Sequence, residues 1–154
     1  MNIPLDLKKI ESALKEAGLN PHFQKETKQL YLVYQWEQLE FPLFIKVGDE
    51  KKTLQILVFF PGTIKDKQIS DMSRLLHMLN KEIDIPGFGL DEGSALAFYR
   101  TVLPAFKEVI PEETLTAYLT AIPVICQTYA GAILGLAKGT LTLDKILKSK
   151  PAKV

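Results

Sequence analysis

Apolar positions along this chain switch between two periods. From residue 3 to 19, Ile3, Leu7, Ile10, Leu14 and Ala17 recur at steps of three and four with lysine and glutamate between them. That spacing puts one apolar stripe on a helix. Gly18 and the Asn20-Pro21 pair end it. The runs QLYLVYQWE (29–37), LEFPLFIKV (39–47) and TLQILVFF (53–60) are rich in aromatic and β-branched residues and predict three strands. A tight joint near Gln38 and the polar turn GDEKK (48–52) join them, so they should form an antiparallel meander. Pro42 lacks a ladder donor, which predicts an edge or a bulge there.

PGTIKD (61–66) breaks the third strand, and Thr63 with Asp66 has capping-box spacing ahead of a helix over 66–82. Its stripe is Ile69, Met72, Leu75, Leu76, Leu79 and Ile83. GFGLDE (87–92) and SALAFYRTVL (94–103) predict a hairpin on Asp91-Glu92-Gly93, with Gly93 supplying a positive φ. Pro111, followed by Glu112 and Glu113, opens a third helix that runs to Lys138-Gly139. The expected fold class is α+β: a mixed, mainly antiparallel sheet with helices, in the order α-β-β-β-α-β-β-α. One domain should occupy 1–140, and a short amphipathic turn, LDKILK, and a basic tail should occupy 141–154.

Two patterns bear on function. Strands 29–37 and 53–60 are apolar on both faces: Leu30, Leu32, Tyr34 and Trp36 oppose Tyr31 and Val33, while Leu54, Ile56, Val58 and Phe60 oppose Leu57 and Phe59. A sheet apolar on both faces needs a cover on each, from its own helices or from a partner. Tyr31, Val33, Leu57 and Phe59 are therefore the candidate partner-binding residues. The second pattern is the stretch Leu115–Leu136, which is 22 residues without a charge and long enough to cross a bilayer. Wound as a helix it has one bulky seam, Leu115, Leu119, Ile122, Cys126, Tyr129, Ile133 and Leu136, and one smooth, mildly polar side. That asymmetry predicts a core helix rather than a membrane span. Gly131, Gly135 and Gly139 recur every four residues on the smooth side, which lets another backbone come close. The approach is either the chain's own or that of a second copy, and Gly131 and Gly135 are the candidate dimer contacts.

Composition narrows the classes. The chain is 47% hydrophobic and 24% charged with a net charge of +1, so it is globular and has no basic stripe for nucleic acid. A single cysteine excludes an internal disulfide. The N-terminus has no apolar signal core, and a cytoplasmic location is expected. Cys126 has no basic neighbour, His22 and His77 have no ligand-spaced companions, and GFG at 87–89 is followed by no GK[ST]. No catalytic, metal or cofactor set can be assembled, which predicts a protein that is not an enzyme.

The stretch LLHMLNKEIDIPGFGLDEGSALAFYRTVLP (75–104) resembles the YbjN-like families, which share the fold of type III secretion chaperones, and the element order over residues 3 to 138 fits that plan. The resemblance implies a non-enzymatic, chaperone-like homodimer that holds a segment of a partner or secreted client protein on an apolar surface. The other reading it implies is a regulatory or structural homodimer without an extended client.

Overall fold

The computed structural model describes residues 1–149. The elements run β1 (Asn2–Pro4), α1 (Leu7–Glu16), β2 (His22–Gln24), β3 (Gln29–Trp36), β4 (Leu39–Val47), β5 (Thr53–Phe59), a 3-10 turn (Asp66–Gln68), α2 (Ile69–Asn80), β6 (Phe88–Asp91), β7 (Leu96–Pro104), β8 (Val109–Pro111), α3 (Glu112–Lys138) and α4 (Leu143–Lys148). The fold is α+β as expected. Six strands form one sheet in the order β2-β3-β4-β5-β7-β6, and β1 with β8 forms a second of two strands. The chain forms two compact units: residues Met1–Val58 with Arg100–Ile125, and Phe59–Tyr99 with the chain from Cys126 onward.

In the first unit the meander is as the sequence predicts, with Glu37-Gln38 as the two-residue turn between Trp36 and Leu39. Three short strands escape the sequence pattern. Ile3 belongs to β1, paired with Ile110 of β8, not to the first helix. That helix starts at Leu7 because Asp6 caps it, its carboxylate accepting from the N–H of Lys8 at 2.9 Å and of Lys9 at 3.2 Å. It ends at Gly18, whose φ of +83° allows the Leu19 N–H to reach the Leu14 carbonyl at 3.0 Å. Ile10 and Leu14 are its buried positions. Pro42 corrects an expectation: β4 lies inside the sheet, and its register with β3 runs through Val33↔Pro42 without a shift. Alternate residues of an antiparallel strand turn their N–H to opposite neighbours, so a proline can sit in β4 and leave the β3 ladder whole.

In the second unit, α2 begins with a 3-10 turn, and its start carries no side-chain cap, so the Thr63–Asp66 capping box does not form. The β6–β7 hairpin is present, but the positive φ falls on Ala95 rather than Gly93. Asp91 fixes the turn instead, accepting from the Gly93 N–H at 3.2 Å and the Ser94 hydroxyl at 2.6 Å. The Ser94 bond, more than any other contact, holds the Asp91 carboxyl below its ordinary value. Asn80, the last residue of α2, bonds β6 as a neighbouring strand would: its Oδ1 accepts from the Gly87 and Phe88 N–H and its Nδ2 donates to the Phe88 carbonyl at 2.9 Å. Phe88 is the hub of this core, with ring centroids of Phe60, Tyr99 and Tyr129 at 6.0, 5.3 and 5.7 Å. The Tyr99 hydroxyl donates to the Ile85 carbonyl at 2.7 Å, so its burial leaves no orphan group.

α3 is long and apolar enough, by length and composition alone, to cross a membrane. Leu115, Ile122, Cys126, Ile133 and Leu136 of the expected seam are buried, and Thr116, Thr120, Thr128 and Gly131 are exposed. Burial pushes the Cys126 thiol up to about 12. The helix stops at Gly139, φ +78°, with the Thr140 N–H on the Gly135 carbonyl at 2.9 Å. Of the basic tail, Lys150 and Lys153 lie outside the described residues.

Candidate functional site

Strand alternation sorts the first unit's sheet into two faces. Leu30 and Leu32 of β3, Phe41, Leu43 and Ile45 of β4, and Leu54, Ile56 and Val58 of β5 are buried. Their neighbours on the other face are not. Tyr31, Phe44 and Leu57 are half-buried and Val33 is 44% exposed.

The register makes these residues a row. His22 pairs with Tyr31, Tyr31 with Phe44 and Phe44 with Leu57, so four side chains stand side by side across β2, β3, β4 and β5. Ring centroids are 6.4 Å apart for His22 and Tyr31 and 5.4 Å for Tyr31 and Phe44. Directly opposed aromatic and aliphatic pairs of this kind contribute roughly 0.2–1 kcal/mol each, too little to account for an apolar row that is only half-buried. Val33 stands one step along the strand, opposite Pro42. On the edge strand β2, Phe23 pairs with Leu30 and so belongs to the opposite face, where it is 50% exposed.

Three of the four residues picked from sequence, Tyr31, Val33 and Leu57, thus share one face of the first unit. The fourth, Phe59, is described with the second unit, where it is half-buried and packs edge-on against Phe98 with centroids 6.3 Å apart. Sequence reasoning passed over Phe44 and His22. Phe44 was visible in the alternation of LEFPLFIKV, where it opposes Phe41, Leu43 and Ile45. His22 was not, because a three-residue strand carries no period.

The two candidate dimer glycines have different surroundings. A Cβ on Gly135 would meet Leu141 Cδ1 at 2.5 Å, so the close approach there is made by the chain's own segment after α3. A Cβ on Gly131 would have nothing within 4 Å.

Two grooves flank the halves of α3. A groove of about 200 Å³ in the first unit is lined by Leu14, Leu19, Leu115 and Leu119, with Glu112 as its one charged group. Another of about 260 Å³ in the second is lined by Leu75, Met78, Tyr129 and Ile146, with Glu82. The polar lining is Thr116 and Thr120 with Glu112 in the first, and Thr128 and Ser149 with Glu82 in the second. Among the described residues no group of three His, Cys, Asp or Glu is placed to hold a metal.

No curated protein matches the chain. Among solved structures it is similar to YbjN of E. coli, described as "a putative transcription regulator", with 10% identity and a TM-score of 0.59 over 77% of this chain and 84% of that one. It is also similar to a chain of the ExsC–ExsE complex, with 16% identity and a TM-score of 0.53 over 80% of this chain and 92% of that one. At such identities the likeness is one of fold. A family model covers residues 6–134, that of YbjN, described as "Putative bacterial sensory transduction regulator", and by that match the chain belongs to the YbjN family.

Proposed function

We propose that this protein is a non-enzymatic, chaperone-like binding domain that holds an extended segment of a partner protein on the open face of its sheet and works as a cytoplasmic homodimer. The carrying observation is the row His22–Tyr31–Phe44–Leu57, half-exposed on one face of strands whose other face is dry. Contiguous apolar patches of a few hundred Å² on a soluble domain tend to be interaction sites. Covering about 400 Å² would contribute on the order of 10 kcal/mol by area, before association and ordering costs remove much of it. One structural neighbour is a complex of two proteins, ExsC with ExsE, which supports a protein as the ligand. In this reading α3 is a core helix, not a membrane span, and no cofactor takes part. A secreted protein is one source of the segment.

The homodimer contact is assigned to the α3 side that carries Gly131, with Gly135 beside it keeping its contact to Leu141. The family description favours a second reading, a regulatory homodimer of the YbjN type that holds no extended client. One experiment separates them. A labelled extended peptide of alternating apolar residues is titrated into the wild type and Leu57→Asp, with sedimentation velocity run alongside on the wild type and Gly131→Leu. The proposal expects saturable binding that Leu57→Asp abolishes while the variant stays folded by circular dichroism, and a dimer that Gly131→Leu weakens. A dimer that binds no peptide supports the regulatory reading. A monomer that binds neither peptide nor hydrophobic dye overturns both.

A further inference from the structure

The open face is not uniformly apolar. Lys46 lies two residues along β4 from Phe44, and so on the same face; it stands opposite Gln55, itself two residues from Leu57. Arg100 of β7 joins them, its Nε donating to Gln55 Oε1 at 2.7 Å. Lys46, Gln55, Arg100 and Val102, with Thr53 and Asp49, line a groove of about 190 Å³ in the first unit. Both cations are exposed. Among the described residues the ion pairs are Lys15–Glu11 and Lys52–Glu50, and neither Lys46 nor Arg100 has a carboxylate within bonding reach. Asp49 enters the groove from the β4–β5 turn and leaves two cations to one anion.

From this arrangement we infer that the segment held on the open face is acidic as well as apolar: its apolar side chains lie on Tyr31, Phe44 and Leu57, and carboxylates at one end meet Lys46 and Arg100. The inference rests on the proposed function and specifies its partner. A guanidinium offers five N–H donors in a fixed fork, and Gln55 takes the Nε donor, so the terminal nitrogens have the geometry to grip a carboxylate with two parallel bonds. The Lys46 ammonium, two residues from Phe44, supplies a second positive charge next to the apolar row. The carbonyl of Gln55 neutralises neither. A lysine-bearing segment in the same place would set like charges together, so the two cations discriminate as well as attract.

The test uses the full chain and three labelled peptides with one alternating apolar core, ending in a pair of glutamates, glutamines or lysines. Exposed charge pairs are individually weak, and two of them predict roughly a tenfold preference for the glutamate peptide over the glutamine one. The lysine peptide should be weaker still. The preference should shrink as salt rises through the range that screens surface charge, and it should collapse in the double variant Lys46→Gln, Arg100→Gln. Equal binding of all three peptides overturns the charge inference and leaves the apolar face standing. A glutamate preference that survives both high salt and the double variant also overturns it. If none of the three binds to protein that is folded by circular dichroism, the proposed function itself falls. Should the double variant fail to fold, the salt dependence in the wild type decides alone.

Discussion

Phe44 and Ile45 are neighbours in one strand, similarly apolar, and they end in different environments. Ile45 is fully buried on the face shared with Leu30 and Ile56, whereas Phe44 is half-buried in a row that ends in water. The same holds for Ile56 and Leu57 in β5. The contrast teaches that apolar alternation records a demand for cover, not its source. One face of β3–β5 is met inside the fold. The other is met only in part, and the residue of that demand is the candidate site.

That contrast can be broken position by position. Truncating the dry face should cost most: Ile56→Ala removes fully buried carbon and is expected to destabilise by about 2–5 kcal/mol. Leu57→Ala, one residue on, should cost less than about 1 kcal/mol in urea unfolding because its side chain is already partly wet. Equal costs for the two would mean that both faces are core. The helix offers a smaller version. Gly135→Leu drives a side chain into Leu141 and should lower stability by about 1–3 kcal/mol. Gly131→Ala meets nothing and should raise it by up to about 1 kcal/mol through helix propensity. That gain is expected of the monomer in dilute solution; at concentrations where the proposed dimer forms, the second copy at Gly131 should reduce it.

The least effect at ordinary pH belongs to Cys126. Its folded pKa is raised by burial from 9.0 to about 12, so the folded state keeps a proton that the unfolded chain releases. By linkage the stability from this group is whole below pH 9 and is lost as pH rises toward 12. Alkylation of the native protein at neutral pH should accordingly be slow and should accelerate on unfolding. Rapid, stoichiometric labelling of folded protein would place the thiol outside the core.

Much of this was legible in the chain. The meander, α2, α3 and the two-faced strands follow from periods of 2 and 3.6 sustained over seven or more residues. β1, β2 and β8, each three residues long, did not show, because so short a run repeats nothing; β1 and β8 are held by pairing with each other from distant parts of the sequence, and β2 by its hairpin with β3. For that reason Ile3 read as helical and His22 was not seen as a member of the row. The Gly131-Gly135-Gly139 spacing announced close approach, but not by whom: Gly139 ends the helix and Gly135 admits Leu141, contacts set by the path after the helix rather than by the helix itself. Lys46 and Arg100 are 54 positions apart, and only the placement of β4, β5 and β7 brings both to Gln55.

The central claim is that the open face serves binding and the dry face serves folding. Its most direct measurement pairs two aspartates in β4, Phe44→Asp and Ile45→Asp, each followed by urea unfolding and by titration with the apolar, glutamate-ended peptide. A charge at Ile45 has no water and no partner and should unfold the domain. A charge at Phe44 should leave the unfolding midpoint near that of the wild type and abolish peptide binding. If Phe44→Asp unfolds the protein as Ile45→Asp does, or stays folded and binds the peptide unchanged, the account is contradicted.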